Sequence, residues 1–256
     1  MSRLNLSNNK NLLKIEEAEH RYFISIKTQL LSSLNDVLNH LKSRILIKND
    51  WQNIFLKTSR QGYKQSDLDK GAERIFHHWA ASFFKFPNST PIGSDLVFDS
   101  DEGFRIHIDI KTALINNPAD YKGKINVGKN QTSYKSKKFI GDLPPKYSDD
   151  KITLTYVLQI IHEHLSPKIY AIVLACIPNG MLYNIYGDKI IKAGKGGYKK
   201  AKDFRFNYNF KGKILKFSLI KNKPPRVEII CALKSLNIKK TFGCDLKVYT
   251  FLQNEF

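Results

Sequence analysis

Apolar residues spaced three and four apart predict a long helix near the start of the chain. The stripe consists of Leu31, Leu34, Leu38, Leu41 and Ile45, and the helix is predicted over residues 11–47. Lys27 stands where the stripe would continue backward, so the stripe is short. Such a stripe either packs on its own domain or contacts a second subunit.

A second helix is predicted over residues 67–84, with Ser66 as its cap. Its apolar stripe consists of Ala72, Phe76, Trp79 and Phe83. Glu73 lies beside this stripe, at the border between core and water. Two prolines and a glycine in "FPNSTPIG" end the helix.

Strict alternation of apolar and polar residues then predicts a half-buried strand. Ile106, Ile108 and Ile110 alternate with His107, Asp109 and Lys111. A shorter strand over residues 95–99 and the turn "DSDEG" precede it, which predicts a hairpin. The turn falls midway between Asp95 and Asp109, so the hairpin brings these two carboxylates together.

The rest of the chain is rich in β-branched residues. Strands are predicted at "ITLTYVLQII", "KIYAIVLACI", "MLYNIYG", "KILKFSLI" and "RVEIICAL". The longer stretch "ITLTYVLQIIHEHL" also fits a helix. No repeat or clear domain boundary interrupts the pattern, which predicts one domain over residues 1–256.

The charge of the chain points to a polyanionic partner. Lys and Arg number 42 against 23 Asp and Glu, a net charge of +19, which suits DNA or RNA. A membrane is disfavoured because the longest apolar run, residues 169–177, is about half of a spanning helix. Three widely spaced cysteines and no signal-peptide core predict a cytoplasmic protein with reduced thiols.

Two carboxylates close together repel each other unless a cation neutralises them. Asp95 and Asp109, with water and a phosphate oxygen, are the hard ligands that suit Mg²⁺. Lys111, on the same strand face as Asp109, is a candidate to orient or deprotonate the attacking water, or to stabilise transition-state charge. Glu73 is a candidate further ligand.

These residues resemble a known nuclease signature. "GSD" followed by "DIK" (Asp109 to Lys111) is similar to the PD-(D/E)xK motif, with Ser94 in place of the usual proline. The resemblance implies a restriction-endonuclease-like α/β fold, with a central mixed β-sheet flanked by helices. It also implies that Asp95 and Asp109 bind metal and that Lys111 is catalytic, with Glu73 as the helix carboxylate. Residues 1–60 would form a mainly helical segment with a possible dimer contact, and residues 61–256 the catalytic and DNA-binding core.

"HIDIKT" with the downstream "GKNQTSY" resembles the blunt-cutting Type II restriction endonucleases of the EcoRV type. That resemblance implies a homodimer acting on double-stranded DNA. It assigns DNA contacts to Asn88, Ser89 and Thr90; to Gln131, Thr132, Ser133, Tyr134 and Lys135; and to Lys195, Gly196, Gly197, Tyr198, Lys199 and Lys200. The last set lies in "AGKGGYKK", at the place of the family's major-groove recognition loop.

Other interpretations remain open on the sequence. Asp95, Asp109 and Lys111 could form a salt bridge on a solvent-exposed hairpin. The basic, aromatic segments also fit a non-catalytic nucleic-acid-binding protein, although such a protein gains nothing from carboxylates near phosphate. A repair or junction-resolving nuclease would share the same core. No Walker motif or dinucleotide fingerprint occurs, so no nucleotide cofactor is expected.

Overall fold

A mixed six-stranded sheet forms the centre of the protein. The computed structural model describes residues 9–42, 68–83, 94–128, 143–147, 150–164, 166, 168–186, 190–193 and 203–253. The central sheet consists of β1 (Leu96–Asp99), β2 (Phe104–Leu114), β4 (Ile152–His162), β5 (Ile169–Ile177), β10 (Val227–Leu233) and β11 (Val248–Leu252), in the order β1-β2-β4-β5-β10-β11. The β2–β4 and β10–β11 pairs are parallel and the other pairs antiparallel, which confirms the predicted mixed sheet.

A smaller sheet covers one face of the central sheet. It consists of β3 (Lys124–Gly128), β7 (Asp203–Asn207) and β6 (Ile191–Ala193), in the order β3-β7-β6, while β8 (Asn209–Phe210) and β9 (Lys213–Ile214) form a two-stranded pair. Alternate residues of the smaller sheet, among them Ile125, Phe204 and Phe206, pack with Val157 and Val173 of the central sheet. The apolar half of each pleated strand therefore closes a core between the two sheets.

Helices cover the opposite face. They are α1 (Asn9–Ser32), α2 (residues 34–42) and α3 (Leu68–Ala81). The short α4 (Tyr183–Tyr186) follows β5, and α5 (Ile238–Phe242) lies on the side of the smaller sheet, where Phe242 joins the core between the two sheets. Phe23 of α1 and Phe76 of α3 share a core cluster with Ile106, Ile108 and Ile110 of β2. Because both faces are covered, β4 is buried along its whole length, and it is a strand and not the helix that its sequence also fitted. The predicted α/β architecture with flanking helices is confirmed.

The N-terminal helix is interrupted at one residue where a single helix was predicted. A turn at Ser33 separates α1 from α2. The hydroxyls of Ser32 and Ser33 both donate to the Gln29 carbonyl, each at 2.8 Å, and such side-chain competition for helix carbonyls bends helices. The second helix agrees with its prediction over Leu68–Ala81; the cap Ser66 lies outside the described residues.

The leucine stripe packs inside its own chain. Leu34, Leu38 and Leu41 are buried in the core shared by the helices and the central sheet, and Ile45 lies outside the described residues. This packing favours the intramolecular alternative for the described leucines, and the dimer contact expected within residues 1–60 stays a prediction.

Two predicted strands differ in the structure. "MLYNIYG" forms a 3₁₀ turn over Gly180–Leu182 followed by α4, because Tyr186 turns inward to bond the Lys216 carbonyl at 2.9 Å. "KILKFSLI" contributes only the two residues of β9. Within the described part of the chain, no helix is long and apolar enough to cross a membrane.

Candidate active site

The β1–β2 hairpin places the two predicted carboxylates opposite each other. Leu96 pairs with Ile108, so one further step along the antiparallel register sets Asp95 against Asp109. Asp95 Oδ2 accepts a hydrogen bond from the Ile110 backbone N–H at 2.6 Å. This bond holds the Asp95 carboxylate at the end of β1, beside the strand that carries the other two candidate residues.

Asp109 and Lys111 form a largely buried ion pair. The Lys111 Nζ lies 2.7 Å from Asp109 Oδ2. Asp109 is 2% exposed, whereas about a quarter (26%) of the Lys111 side chain remains exposed. The lysine therefore connects a buried carboxylate to the protein surface.

Burial and neighbouring charges shift the pKa values of both Asp109 and Lys111. Burial raises the pKa of Asp109 to about 7; the Lys111 charge opposes this rise and the neighbouring Asp95 adds to it. Burial acts to lower the pKa of Lys111, but Asp109, Asp95 and Glu73 together raise it above its usual value. Lys111 is consequently an ammonium in this arrangement, while burial disfavours the charged form of Asp109.

Glu73 is an exposed residue of α3, and its charge acts on Lys111. Within the described ranges, no three or more His, Cys, Asp or Glu side chains are grouped as a metal site. The structure thus brings Asp95, Asp109 and Lys111 together, with the charge of Glu73 acting on the lysine.

The facing pair of carboxylates fits a hard divalent cation. Asp109 Oδ2 is buried and accepts no well-directed hydrogen bond from the described residues, its neighbour being the Lys111 ammonium. Two carboxylates supply part of an oxygen shell, and Mg²⁺ ordinarily completes its shell with water and substrate phosphate oxygens. Asp95 and Asp109 would hold such an ion; a third protein carboxylate is not required.

The surroundings of Asp109 exclude a solvent-exposed hairpin salt bridge. His107 and Asp109, predicted to lie on a half-exposed face, are both buried, and the Tyr147 ring packs on His107 with 4.8 Å between the ring centres. An exposed ion pair of the ordinary kind occurs at the other end of the hairpin, where Asp99 contacts Arg105 and Lys151. The carboxylates at the two ends of the hairpin therefore lie in different environments, because Asp99 is exposed and Asp109 is buried.

The predicted DNA-contacting residues lie outside the described residues. They occupy positions 88–90, 131–135 and 195–200. The described strands next to them show where these segments leave the sheet. Gly128, the last residue of β3, pairs with Asp203 of β7, and Ala193, the last residue of β6, pairs with Phe204 of β7. The chain therefore leaves β3, leaves β6 and enters β7 at one end of the smaller sheet.

Gln159 is a neighbour of the site that the sequence did not reveal. It pairs with Lys111 in the parallel β2–β4 register and is 1% exposed. Its position beside Lys111 depends on the pairing of β2 with β4, which the sequence alone does not reveal. The one local indication is Gln159 itself, a glutamine within the largely apolar run "TYVLQII".

Two family models match this chain. Residues 11–166 match the family model for the N-terminal domain of the Type II restriction enzyme MwoI, and residues 169–231 match the model for its central domain. The comparison with curated proteins gave no match.

Two solved structures of restriction endonucleases match this chain, and the first is similar in fold. The restriction endonuclease BglI, bound to its DNA recognition sequence, superposes with a TM-score of 0.54 at 14% identity, over 78% of this chain and 89% of BglI. The tetrameric restriction endonuclease SfiI, bound to cognate DNA, gives a TM-score of 0.44 at 12% identity, over 76% of this chain and 79% of SfiI. The matches do not extend to the narrower EcoRV-type resemblance. Because the first family model alone spans more than half of the 256 residues, this chain belongs to the MwoI family of Type II restriction enzymes.

Proposed function

We propose that this Type II restriction enzyme is a Mg²⁺-dependent endonuclease that cuts both strands of duplex DNA and leaves 5′ phosphates, with Asp95, Asp109 and Lys111 as its catalytic residues. The observation that carries the proposal is the Asp109 carboxylate, buried opposite Asp95 and 2.7 Å from the Lys111 ammonium. Such an arrangement is costly for stability alone, and perturbed groups of this kind concentrate at functional sites.

Each residue has a distinct part. Asp95 and Asp109 would hold the divalent ion, and the Ile110 N–H keeps Asp95 in place. The bound ion would supply charge stabilisation for the pentavalent phosphate and the leaving 3′ oxygen. Lys111 reaches from this buried pair to the surface, where its ammonium can contact the scissile phosphate and orient a water. Glu73 would contribute negative charge at the border of the site, as a ligand or through its effect on Lys111.

Digestion of phage DNA with and without Mg²⁺ tests this function. We expect discrete fragments only with the metal, and 5′ phosphates that permit direct religation. The EcoRV-type resemblance predicts blunt ends, which sequencing of the cut termini would check. A smear would indicate a nonspecific nuclease, cleavage limited to branched DNA a junction-resolving enzyme, and intact DNA in all conditions a binding protein.

Binding to DNA is expected to depend strongly on salt. The chain carries a net charge of +19. A plot of the log binding constant against the log salt concentration should therefore fall with a slope of about 0.9 for each phosphate contacted. Filter binding with Ca²⁺ in place of Mg²⁺ measures the slope, and a slope near zero would contradict DNA as the partner.

Sequence reading is assigned to residues 195–200, with residues 88–90 and 131–135 as further DNA contacts. Residues 131–135 come after β3 and residues 195–200 after β6, and both strands finish at the same end of the smaller sheet. This common position supports a shared DNA-contact surface. Replacing Gly196 and Gly197 with alanine should abolish cutting at the cognate site and reduce low-salt nonspecific binding far less. Unchanged discrimination would move sequence reading to residues 131–135.

A homodimer is the expected functional unit, because two-fold symmetric enzymes cut the two strands of a duplex equivalently. Sedimentation with and without a cognate duplex tests this expectation, and a monomer in both conditions would contradict it. Since Leu34 and Leu38 are buried in their own chain, aspartate at either position should unfold the protein and not simply separate subunits.

A further inference from the structure

Gln159 stands beside Lys111 on the face of the central sheet that carries the candidate site. The two residues are register partners on adjacent parallel strands, whose backbones run about 4.8 Å apart. Val157, two residues earlier on β4, points into the core between the two sheets, which places Gln159 on the same face as Asp109 and Lys111. An extended lysine side chain spans that separation.

The orientation of the Gln159 amide follows from its one hydrogen bond. Its Nε2 donates to the Asp120 carbonyl at 3.1 Å, an acceptor that only the amide nitrogen can use. The other amide atom, Oε1, is buried and has no hydrogen-bond partner among the described residues. A buried acceptor without a donor is unfavourable, so its presence beside Lys111 calls for an explanation.

Lys111 is the neighbouring group whose partner must change during the proposed reaction. Its ammonium lies 2.7 Å from Asp109 Oδ2, on the carboxylate that with Asp95 would hold a divalent ion. Two cations at one carboxylate repel each other, so an acceptor other than Asp109 would favour the ammonium when such an ion is bound. We propose that Gln159 is a positioning residue whose Oε1 accepts the Lys111 ammonium when a divalent cation occupies Asp109, which holds Lys111 toward the substrate phosphate.

The chemistry of an amide suits this task. A carboxylate at position 159 would neutralise Lys111 and compete for the metal ion, whereas an amide oxygen accepts a hydrogen bond and leaves the positive charge available to phosphate. The inference rests on the proposed function, because it takes Asp95 and Asp109 as the metal-binding pair.

A double-mutant cycle on metal binding tests the proposal. Mn²⁺ affinity, measured by titration without DNA, should fall about tenfold in Gln159→Met, because the displaced ammonium loses its acceptor. In the Lys111→Met background the same replacement should leave Mn²⁺ affinity unchanged. Gln159→Glu keeps an acceptor of the same size and should bind Mn²⁺ at least as tightly as the parent. Thr153→Val, which removes another buried and unpartnered side-chain oxygen from the same strand face, is the matched control and should have no effect.

Single-turnover cleavage gives the second readout. Gln159→Met should lower the rate about tenfold with unchanged DNA affinity, and should add nothing to the loss caused by Lys111→Met. Equal losses in both backgrounds, or weaker Mn²⁺ binding by Gln159→Glu, would overturn the proposal in favour of a structural role. Parental activity of Lys111→Met would instead contradict the proposed function, so the two failures are distinguishable.

Discussion

Alanine in place of Asp95, Asp109 or Lys111 is expected to slow DNA cleavage by about two to four orders of magnitude. The two carboxylates lie opposite each other and the ammonium lies 2.7 Å from Asp109, so each replacement removes a group that no neighbour can substitute. DNA binding should be retained by the aspartate variants, because a carboxylate near phosphate repels it. Single-turnover cleavage and Ca²⁺-supported binding on the same duplex measure the two effects separately.

The matched control lies on the same hairpin. Asp99 pairs with Arg105 and Lys151 in an exposed position, so Asp99→Ala changes one hairpin carboxylate without touching the site and should cut at the parental rate. Glu73→Ala should give a smaller loss than the other three, since Glu73 acts on Lys111 from the border. An Asp109→Ala protein that cuts at the parental rate would disprove the assignment.

The unfolding temperature of the Asp109→Asn variant shows whether the Asp109 carboxylate serves catalysis or stability. Burial raises the pKa of Asp109 from its usual 3.8 to about 7, so ionising it costs more in the folded protein than in the unfolded chain, and this cost is complete above about pH 7. Asparagine has no charge to bury, and Lys111 can turn to solvent. We therefore expect Asp109→Asn to unfold at the same temperature as the parent or higher at pH 8, while cleavage is lost. A clear drop in unfolding temperature would indicate that the ion pair is mainly structural.

The hairpin and its three candidate residues could be predicted because their arrangement is local. Alternation gave the strand, and the turn between Asp95 and Asp109 gave their proximity, both within one short stretch. The burial of Asp109 could not be predicted from that stretch, because it depends on residues elsewhere in the chain, such as Tyr147, which packs on the neighbouring His107. A polar face that alternates with isoleucines has the same sequence pattern whether water or protein covers it.

Long-range contacts also explain the other differences. The leucine stripe correctly indicated a helix but not its partner, which is the chain's own core. Lys27 interrupts that stripe, and it is largely buried because Glu228 and Tyr249, far along the chain, accept its hydrogen bonds at 2.7 and 2.6 Å. Residue type and spacing carry no information about such partners.

Arg226→Met is expected to lower the free energy of unfolding by about 3–5 kcal/mol, because it leaves buried carboxylates without their cation. Arg226 is fully buried, and its guanidinium lies 3.0 Å from Glu16 and 2.6 Å from Glu19. It also donates to the Tyr186 hydroxyl at 3.1 Å and lies over the Phe217 ring, 4.1 Å from its centre. Methionine fills part of the volume but provides neither the charge nor the donors.

Chemical denaturation measures this loss, and Arg21→Met is the control on the same helix as the two glutamates. Arg21 pairs with Glu102 in an exposed position, where a salt bridge contributes at most about 1 kcal/mol. Similar losses in the two variants would show that the buried network is no more important than a surface pair. The network lies on the helical face of the sheet and the candidate active site on the other, so the Arg226 variant should cut DNA wherever it remains folded.

Glu19→Gln should have the opposite effect at neutral and higher pH. Burial raises the pKa of Glu19 from its usual 4.5 to about 7, although Arg226 lowers it in part. The folded state therefore binds this proton more tightly than the unfolded state, and stability falls as the pH rises from about 4.5 to about 7. Glutamine resembles the protonated side chain, and Glu16 still pairs with Arg226. The variant should thus gain up to about 3 kcal/mol over the parent between pH 5 and pH 8, and parallel stability curves over that range would contradict the raised pKa.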